Sequence, residues 1–143
     1  MNDTGPMTYA QRYQKTVQEV VESLSLAVDQ APQIQRDVFH RALGIGTYQC
    51  SGMRSKRLRG TIASLIHCKS ECRSHECKFL PAVPELVHVA SLVLDDMQDK
   101  HRMRWGADSL WVSHGVPIAM NTAIAMLAHS QKLFDQLHIS GIR

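Results

Sequence analysis

Residues 85–99 read ELVHVASLVLDDMQD. Three carboxylates, Asp95, Asp96 and Asp99, crowd the end of an otherwise apolar segment. On a helical wheel, Glu85, His88, Leu92, Asp95, Asp96 and Asp99 share one arc of about 100°. The remaining residues up to Leu94 are Leu, Val, Ala and Ser. A surface helix shows a broad polar half, whereas this one shows a single narrow polar stripe. The pattern predicts a helix buried in a bundle, with its acids directed at a shared interior space. Local rules oppose the acids. A helix C-terminus disfavours negative charge, and Asp95 and Asp99 form an i, i+4 like-charge pair. A hard divalent cation that keeps waters and shares a phosphate, such as Mg²⁺, relieves both problems. Spacing alone leaves a second reading open, a solvated helix end neighboured by Lys100, Arg102 and Arg104.

Working outward, the chain reads as all-α. Residues 8–30 place Val17, Val20, Val21, Leu24 and Val28 at helical spacing. Pro32 opens a second short helix, PQIQRDVFHRAL. GIGTYQCSG (44–52) is a loop. A third helix covers about Lys56 to Cys68, the fourth about Pro84 to Lys100, and the fifth about 117–137. Alternating strand patterns and internal repeats are absent. Met120 and Met126, with Ile118, Ile124 and Leu127, read as core packing.

The 143 residues suit one domain rather than two. With 44% hydrophobic and 20% charged residues, the composition is that of an ordinary globular chain. The net charge of +3 is too small to imply nucleic acid, and the basic cluster MRSKRLR (53–59) lacks interleaved aromatics. No run of about 18 apolar residues is present, so no membrane span is expected. No secretory leader is visible, which predicts a cytoplasmic protein with reduced thiols at Cys50, Cys68, Cys72 and Cys77. HCKSECRSHEC (67–77) raises zinc, with His67 and His75 as further ligands, but it lacks a C-x₂-C pair. A variable loop is the plainer reading. His114, His129 and His138 read as surface or hydrogen-bonded histidines.

ELVHVASLVLDDMQD resembles the first aspartate-rich motif, DDxxD, of the trans-isoprenyl diphosphate synthases (the polyprenyl synthetase family). Glu85, His88, Ala90, Ser91, Leu92, Asp95, Asp96 and Asp99 all fit it. MRWG supplies Arg104 and Gly106 where the family has RRG, and SKRLRG supplies Lys56, Arg57, Leu58 and Arg59 where it has GGKRLRP. The two motifs stand in the right order, about 40 residues apart. GVPIAMNTA (115–123) is similar to the family's next helix, which lines the prenyl tunnel or a dimer interface. The pattern is closest to the geranylgeranyl and polyprenyl diphosphate synthases, and the likeness runs from about residue 8 to 137.

The resemblance implies the N-terminal portion of an isoprenoid-synthase helical bundle: residues 1–143 as a single, truncated domain. It implies a Mg²⁺-dependent prenyltransferase that condenses isopentenyl diphosphate with an allylic diphosphate. Asp95 and Asp99 would hold Mg²⁺, supported by Asp96. Arg104 would grip the allylic diphosphate, and Lys56, Arg59 and His88 the isopentenyl diphosphate. The small Ala90 and Ser91 just before the acids would leave room for a product of C20 or longer.

The chain departs from the family at named places. Trp105 replaces the second Arg of RRG, Ser55 a Gly, and Gly60 a Pro, and GADS (106–109) stands for GxPT. Family members are about twice this long, and the second aspartate-rich motif is absent from these residues. The expectation is therefore a fragment, or a subunit completed by a homo-oligomeric or heteromeric partner. The alternative is a non-catalytic helical subunit that binds prenyl diphosphates or regulates a heteromeric synthase.

Overall fold

The computed structural model describes residues 7–45, 55–69 and 75–139. Thr8 and Gln11 close a capping box that opens α1 (Tyr9–Asp29). Gln11 N–H donates to the Thr8 hydroxyl, and Thr8 N–H donates back to the Gln11 side chain. Pro32 precedes α2 (Gln33–Leu43), which ends on Gly44 in the left-handed region at φ +60°. Then come α3 (Leu58–Lys69), a 3₁₀ turn (His75–Phe79) and α4 (Ala82–Gln98). A hairpin of β1 (Met103–Arg104) and β2 (Ala107–Asp108) leads to α5 (Leu110–His114) and α6 (Val116–Ile139).

The expected all-α bundle is observed, and α4 lies at its centre, packed against α1, α2, α3, α5 and most extensively α6. Val20, Leu24 and Val28 of α1, Phe39 and Leu43 of α2, Leu86 and Val89 of α4, and Met126 and Leu133 of α6 form the core. Each large apolar side chain buried this way contributes about 1.5–3 kcal/mol. That packing accounts for the apolarity of Cys77–Gln98, which by length and composition alone could cross a membrane.

Four expectations need correction. First, a two-residue ladder exists, with Met103 opposite Asp108 and Arg104 opposite Ala107. Its turn residues, Trp105 (φ +52°) and Gly106 (φ +82°), are both left-handed, as a two-residue hairpin loop of this twist requires. Trp is an unusual choice there, costing about 1–2 kcal/mol. The indole offsets that cost by lying against the α2 cap, where a Cβ on Gly44 would sit 3.3 Å from its Cε3.

Second, only Met126 of the five α6 residues assigned to the core is buried. Ile118, Met120, Ile124 and Leu127 are exposed, because α6 is apolar around much of its girth while α4 covers one side. Leu58, Ile62, Leu65 and Ile66 of α3 are likewise uncovered among the described residues. Third, Cys77 is disulfide-bonded rather than a free thiol. The side chains of Cys50, Cys68 and Cys72 lie outside the described residues, as do those of His67, His75 and His138. Fourth, the acidic stripe of α4 does not face one interior space, as described below.

His129 is buried, and its Nε2–H donates to the Ala27 carbonyl at 2.7 Å, joining α6 to the end of α1. Its ring packs on Phe39. Burial pushes its pKa below the usual 6.5; the Ala27 bond opposes this and Lys132 adds to it. A depressed histidine pKa means that the unfolded chain takes up the proton first. This contribution to stability is complete above about pH 6.5 and is lost as pH falls below it. The thermal midpoint of His129→Gln, followed from pH 8 to 5, is expected to fall less steeply than that of the wild type.

Candidate functional site

The end of α4 separates its carboxylates. Asp96 is 2% exposed, and it accepts two hydrogen bonds from Arg104, from Nε at 2.7 Å and Nη2 at 2.5 Å. Such a bidentate carboxylate–guanidinium pair is strong and fixed in orientation. Asp96 raises the Arg104 pKa through that bond, against partial burial, and Asp95 adds to the effect. Asp95 and Asp99 face outward instead. Asp99 is the C-cap, its N–H bonded to the Asp95 carbonyl at 2.8 Å, so the pair stands one turn apart at the negative end of the helix.

Lys100 turns left-handed (φ +57°), and His101 N–H reaches back to the Asp96 carbonyl at 2.9 Å, closing the helix. His101 Nδ1 then stands 4.0 Å from both Asp96 and Asp99. The His101 carbonyl accepts from Trp111 Nε1 and Ser109 Oγ, each at 2.8 Å. These bonds anchor the segment that carries Arg104. Sequence reasoning assigned Trp111 no role; its ring also lies under the Arg102 guanidinium.

Glu85 belongs elsewhere. It is 1% exposed and paired with Arg57 across 3.4 Å, while its Oε1 accepts the Gly60 N–H at 3.0 Å. The Arg57 guanidinium also donates to the Leu43 carbonyl. Burial pulls the Arg57 pKa down from its ordinary value, and Glu85 opposes that. Gly60 explains one departure from the family motif. A Pro here would have no N–H for Glu85, and a Cβ would stand 2.5 Å from Val20 Cγ1.

A basic group neighbours the Arg57–Glu85 pair along α3 and α4. Lys56 and Arg59 are exposed, and His88 is half-buried. Burial lowers the His88 pKa, and the charges of Arg59, Arg104 and Arg57 lower it further against Glu85. A bound dianion would draw the His88 pKa back up.

Ala90 and Ser91 do not share a surface. Ala90 is fully buried in the core, while Ser91 is exposed with its hydroxyl on the His88 carbonyl at 2.8 Å. Adjacent helical residues point about 100° apart, which is why the two diverge.

Residues 45–142 match the polyprenyl synthetase family model. The chain belongs to the polyprenyl synthetase family. Over 82 residues it is 30% identical to a geranylgeranyl pyrophosphate synthase of Eremothecium gossypii, covering 57% of this chain and 26% of that protein. Over 89 residues it is 26% identical to a geranylgeranyl pyrophosphate synthase of Aspergillus versicolor, covering 62% and 23%. A bifunctional terpene synthase of Fusarium proliferatum is 32% identical over 80 residues, covering 56% and 11%. The matched region therefore spans about a quarter or less of these relatives' lengths. The family match starts at residue 45, so α1 and α2 lie outside it, later than the likeness from residue 8 suggested.

In this family member the donors suit Mg²⁺ in a restricted way. Among the described residues no three His, Cys, Asp or Glu side chains converge as a ready-made metal cage. Asp96 is committed to Arg104, which leaves the all-oxygen pair Asp95 and Asp99. Two carboxylates fit an ion that keeps waters and draws its remaining ligands from a phosphate.

Removing Arg104 leaves the buried Asp96 carboxylate without its partner. Arg104→Ala is expected to cost about 1.5–3 kcal/mol. The double variant Asp96→Ala, Arg104→Ala should be less destabilised than that single variant. Urea denaturation of the three chains checks both statements.

Proposed function

We propose that this chain supplies the first diphosphate-binding half of a Mg²⁺-dependent prenyltransferase. The enzyme would condense isopentenyl diphosphate with an allylic diphosphate to a product of C20 or longer. The observation that carries the reading is the juxtaposition at the end of α4. Asp95 and Asp99 stand open one turn apart, Asp96 between them holds Arg104, and the charges of Arg59 and Arg104 both act on His88 earlier on the same helix. A dense anion bridged to a divalent cation needs both kinds of residue within reach. Two relatives are named geranylgeranyl pyrophosphate synthases, which supports the C20 product class.

In this reading Lys56 and Arg59 hold the diphosphate of isopentenyl diphosphate, and His88 contributes a further hydrogen-bond donor. Arg104, kept rigid by Asp96, presents its outer edge to the allylic diphosphate. Asp95 and Asp99 would hold Mg²⁺. When bound, the ion supplies charge neutralisation for the departing diphosphate. The uncovered apolar faces of α3 and α6 support assembly with a second copy or a partner subunit. One observation favours the second reading, a non-catalytic diphosphate-binding subunit. Trp105 stands where the family has Arg, and its ring lies against Gly44.

Calorimetric titration of an allylic diphosphate, with Mg²⁺ or with EDTA, tests the site. Binding is expected to require Mg²⁺ and to weaken more than about tenfold in Asp95→Ala. Equal binding with EDTA and in Asp95→Ala would remove the basis for the metal site. Incorporation of labelled isopentenyl diphosphate separates the two readings: an elongated product supports catalysis, and Mg²⁺-dependent binding without product supports the binding subunit.

A further inference from the structure

Three cations, Lys56, Arg57 and Arg59, occupy four successive positions and meet different fates. Lys56 and Arg59 are exposed, while Arg57 is 5% exposed. We infer that Arg57 and Glu85 are positioning residues: a buried clamp that orients Lys56, Arg59 and His88 toward a diphosphate without touching it. The inference rests on the diphosphate reading of the preceding subsection.

Four observations build the clamp. Arg57 takes the left-handed conformation (φ +47°), and its side chain is buried in the bundle. Inside, it meets the Leu43 carbonyl at the end of α2 and the Glu85 carboxylate of α4. The other Glu85 oxygen accepts the Gly60 N–H in the first turn of α3. A cation thus satisfies one helix C-terminus and an anion one helix N-terminus, each matching the local dipole. Lastly, Gly60 lets α3 approach so closely that a Cβ would meet Val20, Pro81 and Glu85 within 3.0 Å.

With Arg57 drawn inward, its neighbours are left outside. Lys56 is held from a second side, where the Tyr13 hydroxyl donates to its carbonyl at 2.8 Å. Arg59 rides on the turn that Glu85 caps, and His88 lies one turn beyond Glu85 on α4. The clamp therefore fixes the three outward groups relative to one another. Arg57 is buried with both terminal nitrogens bonded to Leu43 and Glu85, so it does not itself serve as an anion ligand.

The test is calorimetric binding of inorganic pyrophosphate to the whole chain, paired with thermal unfolding. Lys56→Gln and Arg59→Gln should each weaken binding. The double variant Arg57→Met, Glu85→Gln removes both buried charges and keeps an acceptor for Gly60, so it should stay folded. Misplaced donors lose affinity steeply, and about a tenfold loss is expected at a near-normal midpoint. NMR titration of His88 gives a readout that stability does not move. Pyrophosphate should raise its pKa in the wild type and less in the double variant. Should the double variant unfold, Arg57→Lys decides the matter: it keeps a cation for Glu85 but lacks the fork that also reaches Leu43, and it should weaken binding in the same direction. Wild-type affinity in the folded clamp variant, or in Arg57→Lys if the clamp variant unfolds, overturns the clamp, provided Lys56→Gln and Arg59→Gln lose binding. If those two also bind normally, the diphosphate reading itself falls, and the clamp with it.

Discussion

The ion pair between Arg57 and Glu85 fixes where three helices meet. At 3.4 Å and an effective dielectric of about 20, two unit charges attract by roughly 5 kcal/mol. Removing each ion from water costs several kcal/mol, so the pair itself adds little net stability. What it adds is placement. Both terminal nitrogens of Arg57 and both carboxylate oxygens of Glu85 are bonded to a helix end or to the other partner. A pair like this tolerates few alternative arrangements, because any shift leaves a buried charge short of partners. The positions of α2, α3 and α4 follow, and with them the exposed faces they present.

The same logic runs through α4. Its inward acids, Glu85 and Asp96, are each matched by an arginine, whereas its outward acids, Asp95 and Asp99, have no arginine or lysine salt bridge among the described residues. One helix thus carries two kinds of carboxylate. The first kind builds the bundle, and the second sits against the helix dipole and a like-charged neighbour, an arrangement that a bound cation relieves. Arg104 joins the two roles. It is tied to Asp96, and its charge also acts on His88.

Much of this was legible in the chain. The DDxxD motif after an apolar run, with KRLR about 40 residues earlier, pointed to the family whose model matches residues 45–142. The wheel of α4 put the acids on one arc facing one interior space, whereas Glu85 and Asp96 are buried and Asp95 and Asp99 are exposed. A wheel carries no knowledge of partners. Glu85 turns inward because of Arg57, 28 residues earlier, and Asp96 because a hairpin returns Arg104 to it. That hairpin left no strand pattern, since each strand is two residues long and its turn begins with Trp rather than Asn or Gly. The exposed side of α6 was unreadable for a related reason. An apolar stripe shows that something covers it, and the sequence alone assigns that role to the core.

The central claim is that outward acids and outward bases at the end of α4 form one anion-plus-cation site, while the inward pairs stay apart from it. The most direct measurement is a two-step ¹⁵N NMR titration of the whole chain. Mg²⁺ added alone should shift the amides of Asp95 and Asp99, and pyrophosphate added next should recruit Lys56, Arg59 and His88, with the amides of Leu24 and Phe39 in the core unmoved. Shifts spread over the surface, or confined to residues far from α4, would contradict the account.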